Sequence, residues 1–316
     1  MEIRSYTPNY IQEYCNLLNA SNAERPDFEE TSVVDLASFL SSPYYDPGGH
    51  FLAFVEEKLV ASVMGSRNLG YSVLPPERIN FTLNVLPEFR RKRIGRTILE
   101  KSMIHFKRHG MRIAVVDDVH AKCKGCVDFY TKLGFNEVSH GYWMERRLTG
   151  DDGSPPFQVS TPDGYRIRPL EGPQELESFR EKINEEFSDT RFFLPMDPQR
   201  FELRYVKKAY VDLTGYFVAI HEASSSIVGT VASQIDYDYN RIKKDDSGEV
   251  RAVGVLKPHR RKGLAKCLVL QSMNWIASRG MTSARLGTNN PDALRVYLSL
   301  GFRALQEYIR FEKSFY

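Results

Sequence analysis

The feature that most limits the fold of this chain is an internal repeat with a period of about half its length. A short strand, a hairpin pattern, a basic turn and a closing Leu-Gly-Phe element occur twice in the same order. The matching pairs are Ile3 and Ile167, Arg90 and Arg260, Tyr130 and Tyr297, and Gly134 and Gly301. Ordered matches at a nearly constant offset indicate two copies of one fold.

Length and composition agree with two soluble domains. The chain has 316 residues, which is long for one core and sufficient for two. Its 43 basic side chains nearly balance 40 acidic ones, so no general affinity for nucleic acid or membrane is expected. No segment approaches the ~20 apolar residues of a membrane-spanning helix, and the N-terminus lacks a signal-peptide pattern. We therefore expect a cytoplasmic protein.

A segment rich in Gly, Pro, Asp and Ser separates the two copies. It predicts an N-terminal domain at 1–147, a linker at 148–164 and a C-terminal domain at 165–316. Each copy reads as strand, helix, a variable segment, two hairpin strands, a long strand, a turn, then helix, strand, helix, strand. This order predicts an α/β class with a mixed sheet and helices on both faces.

The most informative motif is VGVLKPHRRKGLA at Val253 to Ala265. It predicts a strand, a basic turn and the start of a helix, with Gly263 where the backbone must come close to a ligand. The helix start would point unpaired N–H groups at the same place. The motif therefore predicts a phosphate site, or else a solvated basic loop at a helix start. A weaker copy, LNVLPEFRRKRIG, lies at Leu83 to Gly95.

These motifs resemble the GNAT acyltransferase superfamily. Its signature is a strand, a turn of the form (Arg/Gln)-x-x-Gly-x-(Gly/Ala), a helix, and a later Asn-x-x-Ala…Tyr…Gly-Phe element. The second half has every part, namely Arg260, Gly263, Ala265, Asn290, Ala293, Tyr297, Gly301 and Phe302. The tandem layout is similar to that of mycothiol synthase. The resemblance implies two GNAT-like domains, each with a mixed, mostly antiparallel sheet.

The resemblance also implies acetyl-CoA as cosubstrate and no metal. The pantetheine arm would pair with the backbone of Val253 and Val255 like an added strand. Asn290 would bind the pantetheine or cap its own helix. The pyrophosphate would lie on the turn, formed by Arg260, Arg261, Lys262, Gly263, Leu264 and Ala265. In the first half, the corresponding coenzyme A residues would be Val85, Arg90, Arg91, Lys92, Gly95 and Arg96.

Two residues of the second half are the expected catalytic groups. An amine with a pKa near 10 is almost wholly protonated at neutral pH, so a carboxylate base is useful. Relatives place a Glu eleven positions before the first residue of the turn, and here that residue is Glu249. The alternative for Glu249 is an ordinary edge charge. Tyr297 lies where the family places the acid that protonates the sulfur of coenzyme A, unless it only packs beneath its helix.

The first half departs from this pattern. Arg93 replaces the central glycine of the turn, and eleven positions before Arg90 stands Ile79, so Glu77 would have to serve as base. Cys123 and Cys126 stand at the Asn and Ala positions. We therefore expect a degenerate first domain, structural or regulatory, that still holds coenzyme A.

The chain has four cysteines, too few for a disulfide scaffold. The CxxC of Cys123 and Cys126 is compatible with a zinc or redox site, but no second ligand pair accompanies it, and ordinary packing with reduced thiols is the preferred interpretation.

Acid-rich segments at 19–50, 184–215 and the loop 236–249 favour a cationic acceptor. The sequence therefore predicts an N-acetyltransferase acting on the primary amine of a small molecule or peptide, as a monomer or homodimer. The alternative is a non-catalytic acyl-CoA sensor. A nucleic-acid site at the RRKR run of 90–93 is disfavoured because the run is short.

Overall fold

The computed structural model describes residues 1–24, 30–41, 45–67, 77–149, 156–191, 193–207 and 210–315. The first half contains six strands and four helices among these residues: β1 (Glu2–Ser5), α1 (Ile11–Asn22), α2 (Val33–Leu40), β2 (Phe51–Val55), β3 (Lys58–Arg67), β4 (Arg78–Val85), α3 (Ile94–Arg108), β5 (Ile113–His120), α4 (Lys124–Lys132) and β6 (Asn136–Arg147).

The second half repeats this order: β7 (Tyr165–Pro169), α5 (Leu176–Glu186), α6 (Pro198–Tyr205), β8 (Tyr216–His221), β9 (Ser226–Gln234), α7 (Tyr237–Lys243), β10 (Ser247–Val255), α8 (Leu264–Ser278), β11 (Ser283–Thr288), α9 (Pro291–Ser299) and β12 (Arg303–Ser314). The predicted repeat is thereby confirmed.

The additional helix α7 corrects one expectation, because 236–249 was predicted to be a loop. The side chain of Asp236 accepts a hydrogen bond from the N–H of Tyr239 at 2.8 Å and caps the helix. Buried Asn240 then donates to the carbonyl of Ser247 at 2.8 Å. The charged sequence therefore forms a short helix that is tied to the first residue of β10.

The described residues fall into two compact units. Unit 1 holds those up to Ser139 and again from Ile309 onward, whereas unit 2 holds those from His140 to Tyr308. The end of β12 is thus part of unit 1, and most of β6 is part of unit 2. The division into domains at 1–147 and 165–316 remains a prediction.

Unit 1 is a mixed sheet with the strand order β1-β2-β3-β4-β5-β12. β4 and β5 are parallel, and the pairs from β1 to β4 are antiparallel. Phe106 of α3 lies against Gly65 on one face of β3, whereas Ser62 meets Tyr14 of α1. Since alternate residues of a strand point to opposite faces, α1 and α3 cover the two faces.

Unit 2 has the strand order β6-β11-β10-β9-β8-β7, with β10 and β11 parallel. One apolar cluster packs α8 and α9 against the sheet and includes Leu268 and Tyr297. Another packs α5 and α6 against it and includes Phe179 and Phe201. The predicted fold class, a mixed sheet with helices on both faces, is therefore confirmed.

The described part of the predicted linker packs on unit 2. The N–H of buried Leu148 donates to the carbonyl of Thr282 at 2.8 Å. Further along, the N–H of Phe157 donates to the side chain of Asn274 in α8 at 2.6 Å, and Asn274 donates back at 2.9 Å. Residues 150–155 of this segment lie outside the described residues. Across the described ranges, no helix has both the length and the apolar character needed to cross a membrane.

Candidate active site

The basic turn of unit 2 ends at Gly263, which caps α8. Gly263 has φ 88°, in the left-handed region that favours glycine, and a Cβ placed on it would meet nothing within 4 Å. The first N–H of α8 with a backbone acceptor among the described residues is that of Cys267, which donates to the carbonyl of Gly263 at 3.2 Å. The N–H groups of Leu264 and Ala265 therefore have no acceptor within the helix and lie at the positive end of the helix dipole, where an anion is stabilised.

Arg260 ties the turn to the rest of unit 2. Its Nε donates to the carbonyl of Val255 at 2.9 Å, and one terminal nitrogen donates to the carbonyl of Glu186 at 2.7 Å. The same guanidinium forms a two-pronged ion pair with Asp189 at 2.7 and 3.0 Å. The side chain thus joins the end of β10 to the end of α5.

The other two basic side chains of this turn are more exposed. Arg261 is 82% exposed, and its nearest carboxylate oxygen, on Asp292, is 4.0 Å away. Lys262 donates to the hydroxyl of Tyr165 at 2.8 Å, and its ammonium lies 5.3 Å from the centre of that ring. Both remain available as cations beside the N-terminus of α8.

β10 contains a bulge in its middle. Arg251 lies opposite Ala232 of β9, and Gly254 lies opposite Thr230, so β10 advances three residues where β9 advances two. Ala252 has φ 49° at this point. The extra residue reverses the side-chain alternation of the strand, as expected for a bulge.

The bulge decides which side chains face which helices. Before it, Gly248 lies against Ile276 of α8; after it, Gly254 lies against Glu186 of α5, although both positions have even numbers. Glu249 therefore faces α5 and α6, whereas Val253 and Val255 belong to the cluster with α8 and α9.

β10 is paired with β11 only at its start. The parallel pairs run from Ser247 beside Ser283 to Glu249 beside Arg285. Beyond Glu249 the two strands no longer pair, so the edge of β10 toward β11 has no ladder hydrogen bonds at Val253 and Val255, although the carbonyl of Val255 accepts from Arg260. An extended amide chain could pair with that edge.

Glu249 is half-buried and ion-paired with Arg251, two residues further along the same strand. Burial alone would lower the pKa of Arg251, but the charge of Glu249 and the hydrogen bond to it outweigh burial and leave that pKa above its ordinary value. Glu249 lies directly opposite Gln234, which is buried and donates to the hydroxyl of Tyr216 at 2.7 Å. The carboxylate is therefore held at the sheet surface beneath α6.

Tyr297 lies on α9, is 5% exposed, and packs in the same apolar cluster as Val255 and Leu264. Its ring centre is 6.0 Å from that of Phe302. Burial raises the pKa of its hydroxyl above the usual range, so the phenol keeps its proton.

Asn290 is the N-cap of α9. Its side-chain oxygen accepts from the N–H groups of Asp292 at 2.8 Å and Ala293 at 3.3 Å. The sequence suggested that Asn290 binds the pantetheine or caps its own helix, and in the structure its side chain caps α9.

The turn of unit 1 has nearly the same backbone conformation. Arg91 and Arg93 have φ 61° and 65°, against 64° at Arg261 and 88° at Gly263. Arg93 thus adopts the costly conformation itself. Arg90 donates to the carbonyls of Val85 at 3.1 Å and Ser21 at 2.8 Å, which repeats the ties made by Arg260.

The remaining predicted residues of this turn have partners nearby. The ammonium of Lys92 lies 4.9 Å from the ring centre of Phe89, and Arg96 pairs with Glu100 at 2.8 Å. A Cβ on Gly95 would lie 3.3 Å from Val85.

The register corrects the search for a base in unit 1. Arg78 to Asn80 lie beside Ile113 to Val115, as Ser247 to Glu249 lie beside Ser283 to Arg285. The counterpart of Glu249 is therefore Asn80 and not Ile79. Counting back from the turn fails because β4 has no bulge, and its register with β3 is constant from Ile79 to Val85. An amide cannot act as a base, so unit 1 lacks a base at this position because of Asn80 and not because of Ile79.

The expectation of reduced thiols is wrong for one pair, because Cys123 and Cys126 form a disulfide with their Cα atoms 5.3 Å apart. Cys123 precedes α4 and Cys126 lies in its first turn, where residues three apart are neighbours. Cys15 and Cys267 are free and buried. Within the described ranges, no group of three or more potential ligands could hold a metal ion.

The sequence reasoning missed one residue, Glu186, which is buried against Gly254. The repeat contained a sign of this pair, because unit 1 has Ser21 at the position of Glu186 and Asn84 at the position of Gly254. It becomes readable only when the register is known.

Two solved structures share this fold over nearly the whole chain. A GCN5-related N-acetyltransferase from Sphaerobacter thermophilus matches with a TM-score of 0.71 and 18% identity, over 99% of this chain and 95% of that one. A tandem GNAT protein from the clavulanic acid biosynthesis pathway matches with a TM-score of 0.69 and 15% identity, over 99% and 98%.

The sequence profile of the Acetyltransferase (GNAT) family matches residues 14–135 and 176–302, once in each half. The chain therefore belongs to the GNAT family, and it is an acyltransferase. The mycothiol acetyltransferase of Thermobifida fusca (strain YX) is 26% identical over 243 residues, which are 73% of this chain and 73% of that protein. Enzymes of this family generally use acetyl-CoA.

Proposed function

We propose that unit 2 transfers an acetyl group from acetyl-CoA to a primary amine by direct attack. The observation that carries the proposal is the strand β10, which presents Glu249 before the bulge and a free backbone edge after it, and which leads into the open turn at Gly263. The counterpart of Glu249 in unit 1 is an amide, which favours unit 2 as the catalytic unit.

Acetyl-CoA fits the groups that these residues offer. Its pyrophosphate would accept hydrogen bonds from the N–H groups of Leu264 and Ala265, with Arg261 and Lys262 supplying positive charge. Its pantetheine amides would pair with the edge of β10 at Val253 and at the N–H of Val255, whose carbonyl accepts from Arg260. Arg260 would hold the turn in place through the carbonyls it binds.

The reaction joins the amine nitrogen to the thioester carbonyl carbon, and the carbon–sulfur bond then breaks. The products are the acetylated amine and free coenzyme A. Glu249, directly or through water, would take the proton that the attacking amine loses. Tyr297 would give a proton to the departing sulfur, since its phenol stays protonated in its buried position.

The acceptor is proposed to be the amine of a small molecule or a peptide. Glu249 and Arg251 face the side of the sheet covered by α5 and α6. The name of the relative from Thermobifida fusca favours a small thiol-containing amine, but one fold supports many acceptors.

The proposal is tested by measuring release of free thiol from acetyl-CoA with a panel of amines. Glu249→Gln should lower kcat/KM about 100-fold, and most strongly at low pH, where the free amine is scarcest. Tyr297→Phe should lower kcat by about 10- to 100-fold with little change in acetyl-CoA affinity.

Unit 1 offers matched controls. Tyr130→Phe makes the same change at the corresponding position and should retain most activity. Full activity in Glu249→Gln and Tyr297→Phe, together with loss in Tyr130→Phe, would show that the other unit is catalytic. Background thiol release with every amine would refute the proposed reaction.

A further inference from the structure

Glu186, the last residue of α5, is a buried carboxyl group that the proposed reaction does not use. It is 2% exposed, and its Oε1 has no hydrogen-bond partner among the described residues. A Cβ on Gly254 would lie only 2.0 Å from its Oε2. The carboxyl group therefore rests directly on the bulged half of β10.

The other unit fills the same space in the opposite way. The carbonyls of Glu186 and Ser21 accept from Arg260 and Arg90, respectively, so these two positions correspond. Gly254 likewise corresponds to Asn84, whose side chain accepts from Ser21 at 3.4 Å. Unit 1 thus has a small residue on the helix and a large one on the strand, and β4 has no bulge.

Hydrogen-bond counting indicates which form of the carboxyl group is present. The hydroxyl of Thr230 lies 2.5 Å from Oε2 of Glu186 and 3.1 Å from the carbonyl oxygen of Ala252. A hydroxyl has one proton, and neither an ionised carboxylate nor a carbonyl can donate. Both contacts are hydrogen bonds only if Oε2 of Glu186 is protonated. It then donates a hydrogen bond to the hydroxyl oxygen of Thr230, and the hydroxyl of Thr230 donates to the carbonyl of Ala252.

The charges around Glu186 agree with a neutral acid. Burial raises its pKa to about 8; Glu185 acts in the same direction, whereas Thr230, Lys182 and Arg260 lower it by smaller amounts. Lys182 is itself paired with Glu185 at 2.7 Å, and Arg260 with Asp189, so neither cation is free to compensate a carboxylate.

We propose that Glu186, as a neutral acid, is a positioning residue whose hydrogen-bond chain through Thr230 to the carbonyl of Ala252 holds the bulge of β10. The bulge sets Glu249 on one face and Val253 on the other, so this inference rests on the proposed function. When Glu186 loses its proton, the hydroxyl of Thr230 must turn to the carboxylate, and the carbonyl of Ala252 loses its donor. Cofactor binding then weakens.

The first test measures the proton without any ligand. The folded protein keeps a proton that an unfolded Glu releases near pH 4.5, so the contribution of Glu186 to the free energy of unfolding should fall as pH rises from about 4.5 to about 8. Glu186→Gln keeps a donor for Thr230 but cannot ionise. Its urea midpoint should therefore rise relative to wild type over this range and level off near pH 8. If the difference in urea midpoint between Glu186→Gln and wild type is the same at every pH, the proposal is overturned, regardless of catalytic activity.

The second test measures acetyl-CoA affinity by calorimetry. At the site of unit 2, the wild-type Kd should rise by up to about tenfold between pH 7 and 9, since the ionised fraction dominates above the pKa. Glu186→Gln should abolish this rise. Thr230→Val, which breaks the chain, should weaken binding about tenfold at all pH values, and Thr230→Ser should restore it. An equal rise in wild type and Glu186→Gln would overturn the positioning role.

A double variant guards against misfolding. Glu186→Ser with Gly254→Asn copies the pair of unit 1, so it should fold but bind acetyl-CoA weakly and without pH dependence. Wild-type affinity in this variant would overturn the proposal. Absence of binding at every pH in the wild type would refute the proposed function and this role together, whereas the stability test would still report the proton.

Discussion

Replacing Arg260 by lysine distinguishes a structural tie from a phosphate ligand. Lysine keeps the charge that a phosphate would need, but one ammonium cannot reach the carbonyls of Val255 and Glu186 and also pair with Asp189. If the arginine acts as a tie, Arg260→Lys should destabilise unit 2 nearly as much as Arg260→Ala does.

The magnitude follows from the contacts. Two hydrogen bonds from a charged donor to carbonyls contribute about 1.5 kcal/mol each. The ion pair with Asp189 adds at most about 1 kcal/mol, because its side chains are 36% and 43% exposed. Arg260→Ala should therefore cost about 3 kcal/mol and Arg260→Lys about 2. Asp189→Asn leaves both carbonyl bonds and should cost less than about 1 kcal/mol.

The assay is urea unfolding followed by tryptophan fluorescence. Both tryptophans, Trp143 and Trp275, lie in unit 2, so the signal reports on the unit that is changed. With a urea slope of about 2 kcal/mol per M, Arg260→Lys should lower the midpoint by about 1 M. An unchanged midpoint in Arg260→Lys, with reduced acetyl-CoA affinity only in Arg260→Ala, would refute the structural role.

Three further outcomes are expected. In thermal unfolding, Gly263→Ala should lower the free energy of unfolding by about 1 kcal/mol and Arg93→Gly should raise it by a similar amount, since both positions have positive φ. Changes of the same sign in the two variants would contradict this. Calorimetry should count two coenzyme A sites, because both turns share one conformation; a single site would show that the turn of unit 1 does not bind. Alkylation of the denatured protein should label two cysteines without reductant and four with it, as the disulfide of Cys123 and Cys126 requires; four in both conditions would contradict the disulfide.

Much of the candidate site could be predicted because its signals are local in sequence. A glycine before a helix, a basic turn and the Asn…Tyr…Gly-Phe spacing each act within a few residues. Gly263 at φ 88° and Asn290 as a helix cap follow from such local rules. The helix α7 was missed because its cap, Asp236, stands within a run of charges that resembles a loop.

The failures concern residues whose neighbours are distant in the chain. Ile79 was taken as the counterpart of Glu249 in place of Asn80, because one inserted residue in β10 shifts the count without leaving a mark in the sequence. The three partners of Arg260 were likewise not foreseeable, because they come from α5, from the residues after α5 and from the end of β10.

The sequence by itself determined that the chain is a tandem repeat of one mixed α/β fold, that the basic turn precedes a helix, and that both halves keep the tyrosine whereas Glu249 belongs to the second. It could do so because spacing and residue type specify helix starts, turns and repeats. Only the tertiary structure decided the bulge in β10, the tie formed by Arg260 and the burial of Glu186 against Gly254. Those depend on strand register and on helix-to-sheet packing, which bring together residues such as Arg260 and Glu186, 74 positions apart in the chain.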